Sequence, residues 1–154
     1  MNIEAFWQSY LSTLPEPHAH RLHPLPEAWS FGDSAKMADK LGGLVMQGIK
    51  TATCHRYLGE NILEDGGLSI ILDGNEQPLC LVDTFEVTVR AYKDVDADFA
   101  YQEGEGDRTL EYWRKEHWNY FSRAAEDAGY EVSEDMLLSC DRFRVLYKTR
   151  TIRK

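Results

Sequence analysis

Apolar residues at the start of the chain recur every three or four positions. Ile3, Phe6, Trp7, Tyr10, Leu11 and Leu14 keep this spacing, which predicts a short amphipathic helix over residues 2–13. Pro15 and Pro17 end it, since proline lacks the backbone donor and crowds the preceding turn. Glu16 to Pro26, rich in proline and histidine, is expected to be an extended loop. Trp29-Ser30-Phe31-Gly32-Asp33 reads as two aromatics and a turn. Asp33 or Ser34 then caps a helix from Ala35 to Gln47 with Met37, Leu41, Leu44 and Val45 as its apolar stripe. Gly48 suits the left-handed residue after that helix, and Thr51 to Tyr57 reads as extended, leading into a loop from Leu58 to Asp65.

Beyond Gly66-Gly67 the period falls to two. Leu68 to Leu72 is a predicted strand, Asp73-Gly74-Asn75 a turn, and Pro78 to Tyr92 a long or bulged strand, together forming a hairpin. A short helix over Asp94 to Ala100 precedes a loop from Glu103 to Asp107. The longest helix runs from about Arg108 to Asp127, capped by Asp107 or Thr109 and closed by Gly129. Leu110, Trp113, His117, Phe121 and Ala124 share its apolar face, with Trp118 and Ala125 on the flank. A final strand from Met136 to Tyr147 is expected to pair with the hairpin. These strands need no βαβ crossovers, so the fold class is α+β, a small mixed or antiparallel barrel with flanking helices. The length of 154 residues suits one domain, with residues 1–26 as an N-terminal extension.

Composition narrows the function classes. No apolar run approaches the ~18 residues of a membrane span, and the N-terminus lacks the basic start and apolar centre of a secretory signal. Cys54, Cys80 and Cys140 are odd in number and widely spaced, which argues against a disulfide framework or a structural zinc site and for a reduced, cytoplasmic protein. The formal charge of −9 disfavours non-specific nucleic-acid binding, which depends on neutralising phosphates. A local basic cleft could still come from Lys50, Arg56, Arg108, Arg114 and Lys115, or from the tail Lys148 to Lys154. Small-molecule or nucleoside chemistry fits this charge better than tight binding to long RNA, single-stranded RNA entering only through the resemblance described below, and no cofactor, metal or membrane is expected.

Two stretches are unlike packing material. Gly48-Ile49-Lys50-Thr51-Ala52-Thr53 sets an amine and two hydroxyls within four residues, and Glu103-Gly104-Glu105-Gly106-Asp107 sets three carboxylates on a glycine-rich loop. Threonine becomes a nucleophile when a base takes its proton, and a desolvated lysine can be that base. The alternative is a solvated lysine at a strand entry. Residues three apart on a strand point to opposite faces, so Lys50 and Thr53 can cooperate only if the helix-to-strand junction is irregular. Asp107 reads as a cap; Glu103 and Glu105 read as salt-bridge partners of Arg108, Arg114 or another basic residue, their spacing being unlike a calcium loop. His18, His20 and His23 read as an exposed loop rather than a metal site. Cys54 and His55 face away from each other on a strand, and His117 reads as a hydrogen-bonded core residue. Trp29, Trp113, Trp118 and Tyr57 either stack on a base or pack, and packing is preferred.

At these residues the chain resembles the ASCH domain family, a branch of the PUA-like superfold. The resemblance is carried by Gly48 to Thr53, by Trp29-Ser30-Phe31-Gly32-Asp33, and by Ile71-Leu72-Asp73-Gly74 with Pro78. It continues through Phe99-Ala100, Glu103 to Asp107, and Tyr112-Trp113-Arg114 with His117 and Phe121, and so spans roughly residues 27–147. It implies a β-barrel with flanking helices and a cleft for RNA or a nucleoside beside the lysine motif. One small bacterial branch is an amidohydrolase that deacetylates N4-acetylcytidine with a lysine, a threonine three residues on, and a glutamate in an A-x-Q-E context. Lys50, Thr53 and Glu103 (in Ala100-Tyr101-Gln102-Glu103) match those positions. The roles implied are Thr53 as nucleophile, Lys50 as its base and Glu103 as proton-handling or orienting acid. Thr51, Arg56, Tyr57, Glu105 and Arg114 are the expected substrate contacts. A non-catalytic RNA-binding module and a metal-independent ribonuclease are the other functions the family suggests.

Overall fold

The computed structural model describes residues 2–59 and 67–149. Five strands, β1 (Glu27–Ser30), β2 (Ala52–Arg56), β3 (Leu68–Leu72), β4 (Pro78–Ala91) and β5 (Leu137–Lys148), form one sheet in the order β1-β3-β4-β5-β2. β1 lies parallel to β3; every other neighbouring pair is antiparallel. The predicted hairpin is β3–β4, and the final strand pairs with both β4 and β2. Register shifts between Leu81 and Val82 and between Thr84 and Glu86 bend the β4–β5 ribbon, as bulges do, and the sheet curls into a half-barrel. The fold is the expected α+β, barrel-like one.

Four helices cover this sheet: α1 (Ile3–Leu11), α2 (Ala35–Met46), α3 (Ala97–Glu103) and α4 (Leu110–Ala128). Side-chain alternation in β3 decides which helix meets which face. Leu68, Ile70 and Leu72 pack with Phe6, Trp7 and Tyr10 of α1, while Ile71 packs with Leu41 and Val45 of α2. At the other end, α3 and α4 bury Phe99, Trp113 and Phe121 against Ala52, Leu138 and Cys140.

Two local expectations need correction. Glu27–Ser30 is a strand rather than part of a loop-and-turn segment; four residues behind Pro24 and Pro26 are too few to display an alternation. The helix expected over Asp94 to Ala100 is α3, capped by Asp96, so Glu103 is its last residue and not a loop residue. Ser34 caps α2 and Thr109 caps α4, with Asp107 accepting from the amide and hydroxyl of Thr109. His18, His20 and His23 bond locally around a 3-10 turn, to the His20 amide, Tyr10 and Pro24 respectively. Most of the Leu58 to Asp65 loop and Arg150 to Lys154 of the basic tail fall outside the described residues. No helix among the described residues is long and apolar enough to cross a membrane.

Candidate functional site

The junction between α2 and β2 is irregular in the way cooperation of Lys50 with Thr53 requires. Gly48 takes a left-handed φ of 79°, and the amides of Ile49 and Lys50 both donate to the Leu44 carbonyl. Lys50 therefore lies before the strand and escapes its parity. The end of α3 clamps this junction. Thr51 donates its amide to the Gln102 carbonyl at 2.8 Å, and Gly104, at φ 72°, comes so close that an added Cβ would lie 2.5 Å from the Ile49 carbonyl oxygen. Only glycine combines that φ with that approach.

The clamp brings the two unusual stretches together. Lys50, 1% exposed, donates from Nζ to Glu103 Oε1 and to Glu105 Oε2, each at 2.7 Å, with a longer contact of 3.4 Å to the Glu103 carbonyl. Glu103 is equally buried and its second oxygen is also engaged: Oε2 accepts from Trp113 Nε1 at 2.9 Å and lies 3.4 Å from His117 Nε2. Glu105 is 15% exposed, and among the described residues its Oε1 takes no hydrogen bond. Trp113 and His117 are one helical turn apart on α4, with their rings stacked at 4.3 Å.

Electrostatics fixes the protonation states. Burial pulls the Lys50 ammonium down, but Glu103 and then Glu105 outweigh it and hold it above the ordinary lysine value. Burial likewise raises the Glu103 carboxyl, and Lys50 followed by His117 overcomes this and holds it well below the carboxylate range. His117 Nδ1 is 2.9 Å from the Trp113 carbonyl, which can only accept, so Nδ1 carries a proton; Nε2 faces a carboxylate, a second acceptor. Burial lowers this imidazole, but Glu103 more than offsets it, leaving its pKa raised. The Cys54 thiol is pushed far up by burial and by Glu103 and is no thiolate nucleophile. Cys54, Glu103 and His117 each offer a donor atom within 4.8 Å of the others. In this structure Glu103 pairs with Lys50 and His117.

Lys50, Thr53, Glu103, Glu105 and His117 line one cavity of about 80 Å³. It adjoins a second cavity of about 430 Å³, with Phe31, Gly32, Thr53, Cys54 and Tyr120 lining both and Trp29 and Asp141 lining the larger. A volume of that order suits a small ligand. Phe31 lines both compartments and sits with its ring centroid 5.2 Å from Lys50 Nζ, while Met37 and Leu41 of α2 line the smaller one.

Other expected contacts lie elsewhere. The Thr51 hydroxyl donates to the Gln102 carbonyl at 3.3 Å, so this residue secures the clamp. Arg56 lies flat on the Tyr130 ring at 3.4 Å in a further depression that shares Cys54, His55 and Tyr120 with the larger cavity. Tyr57 joins its amide to the Leu137 carbonyl, and the Arg114 guanidinium bonds the Lys93 carbonyl; neither lines the two cavities. The partner of Glu103 and Glu105 is Lys50, not Arg108 or Arg114.

A model of the ASCH domain matches residues 27–147. The chain belongs to the ASCH domain family. The crystal structure of an ASCH domain from Lactobacillus crispatus superposes with a TM-score of 0.86 at 31% identity, covering 94% of this chain and 93% of that one. A DUF984 protein from Enterococcus faecalis superposes at 0.83 with 36% identity, covering 96% and 89%. Among curated proteins none matches. Within this ASCH domain, the residues missed from the sequence are His117, Phe31 and Tyr120. The available signal for His117 was its place one turn after Trp113 on the helix that follows the acidic loop.

Proposed function

We propose that this ASCH domain hydrolyses the acyl amide of an acylated pyrimidine nucleoside, of which N4-acetylcytidine is the simplest. The observation that carries this reading is that Thr53 lines the same small cavity as the Lys50–Glu103–Glu105 network, beside a larger aromatic compartment. The base would occupy the larger compartment beside Trp29, Phe31 and Tyr120, and the acyl group would enter the smaller one.

The roles within the network follow from its bonds. Lys50 is held as an ammonium and is poorly suited to act as the base. Its weakest hydrogen bond, the 3.4 Å contact to the Glu103 carbonyl, leaves one N–H free to turn towards a developing oxyanion. Glu103 is fully engaged and positions its neighbours. Glu105 keeps an oxygen open and is the carboxylate that takes the Thr53 proton. Thr53 Oγ1 then attacks the amide carbonyl.

The test is release of acetate from N4-acetylcytidine by wild type, Thr53→Ala and Thr53→Ser. Turnover that is lost in Thr53→Ala and partly restored in Thr53→Ser supports the reading. Equal rates in all three, or no turnover by wild type, would sink it. A second reading, binding of a strand rather than a free nucleoside, draws on Arg56 and Tyr130 in the depression that continues from the larger cavity.

A further inference from the structure

Amide hydrolysis needs a proton for its leaving nitrogen, because an amide anion is too basic to depart unprotonated. Within the network, Lys50 is tied to two carboxylates and Cys54 is a burial-raised thiol beside Glu103. His117 is different. Its Nδ1–H is spent on the Trp113 carbonyl, its ring is clamped on the Trp113 indole, and Nε2 points to Glu103 Oε2 across 3.4 Å, longer than an ordinary N–H···O bond. The ring also lines the cavity that holds Thr53.

We propose that His117 is a catalytic acid, giving the Nε2 proton to the leaving nitrogen of the acyl amide. The inference rests on the hydrolase reading. In the first half, Thr53 Oγ1 bonds to the acyl carbon and its proton goes to Glu105. The C–N bond then breaks, its electron pair goes to nitrogen, and that nitrogen takes the His117 proton. The free amine leaves behind an acyl ester on Thr53 and a neutral His117. In the second half, water attacks the ester and its proton returns to His117 Nε2, while Thr53 Oγ1 leaves and recovers its proton from Glu105. Water has been consumed, one acid and one amine released, and every side chain restored. Glu103 and Trp113 act as positioning residues, Glu103 by favouring the cationic ring and Trp113 by fixing its plane. The charged and titratable groups facing the ring are Glu103 on α3, Glu105 on the loop, Lys50 at the junction before β2, Cys54 on β2, and Glu116 and Tyr120 on α4 itself.

The experiment compares wild type with His117→Gln on two substrates, N4-acetylcytidine and 4-nitrophenyl acetate, whose nitrophenolate leaves without a proton. The expected result is a loss of about 10²- to 10⁴-fold on the amide, with the pre-steady-state burst of nitrophenolate, which reports acylation of Thr53 alone, nearly unchanged. In addition, ¹⁵N NMR of the wild-type imidazole at pH 7 should report two protonated ring nitrogens. A His117→Gln variant that loses amide turnover and the nitrophenolate burst equally, or keeps both, would overturn the assignment, as would a neutral His117 ring. Wild-type protein inert towards both substrates would instead refute the hydrolase reading and the inference with it.

Discussion

Lys50 holds a full charge on a side chain only 1% exposed, and its desolvation is offset only through Glu103 and Glu105. Removing one partner of a buried pair leaves the other uncompensated, which is far worse than never having had the pair. Lys50→Met should therefore destabilise the fold by about 3–5 kcal/mol, read as a shift in the urea midpoint. Replacing Lys50 and Glu103 together by Met and Gln should recover part of that loss, because no unpaired charge remains on Glu103. A double variant no more stable than Lys50→Met would show that the pair is not what holds the junction. The same network fixes the pH response. The depressed Glu103 contributes stability that is fully present above the ordinary glutamate value, about 4.3, and is lost as pH falls below it. The raised His117 works in the opposite direction: its contribution is complete below the ordinary histidine value, about 6.5, and fades as pH rises through its folded value. The stability difference between wild type and His117→Gln should thus shrink from pH 6 towards alkaline pH, and a growing difference would contradict the charged ring. Lys50, Glu103 and Glu105 were legible in the sequence because a lysine and clustered carboxylates have no packing role. His117 was not, since a histidine on an apolar helical face looks the same whether its partner is a core carbonyl or a buried carboxylate.

Elements set these side chains in place, and glycine decides how closely the elements approach. Gly104 and Gly48 both adopt left-handed backbone, but an added Cβ at Gly48 meets open space, whereas at Gly104 it would meet the Ile49 carbonyl oxygen at 2.5 Å. Gly48→Ala should cost about 1–2 kcal/mol from backbone strain alone. Gly104→Ala adds a backbone clash that no rotamer relieves, for a total of roughly 2–6 kcal/mol, and it should also open the Lys50 pocket. Equal midpoints for the two variants in thermal unfolding would mean that the α3 clamp does not hold the junction closed. Most elements could be read from periodicity and caps: α1, α2 and α4 carry apolar stripes, and β3 to β5 carry long alternations. The strand β1 could not, because its four residues gain their place by pairing with β3, a non-local fact. The shift of α3 past Ala100 to Glu103 follows from the Asp96 cap, a local signal that the apolar pattern alone does not show.

At the scale of the whole molecule, charge decides between a free nucleoside and a strand. The chain carries a formal −9, and the cleft is acidic as well: Glu103, Glu105 and Glu116 line the smaller cavity, and Glu27 and Asp141 line the larger. Lys50 is neutralised by its own carboxylates, Arg114 is turned to the Lys93 carbonyl, and Arg56 is the guanidinium lining the depression beyond. A single-stranded RNA threading this path would meet about one cation, and each phosphate neutralised on a single strand contributes about −0.7 to the slope of log K against log salt. The expected slope is therefore no steeper than about −0.7, with affinity weaker than the 10⁻⁴–10⁻⁶ M typical of non-specific binders. Fluorescence anisotropy of a labelled oligoribonucleotide across a salt series measures both quantities, and repeating it without residues 150–154 separates the cleft from the basic tail. A slope steeper than about −2 that survives tail removal would mean at least two or three phosphates are held by the folded body. In that case the strand, not the nucleoside, would be the ligand the cleft is shaped for, and Arg56 the first residue to substitute.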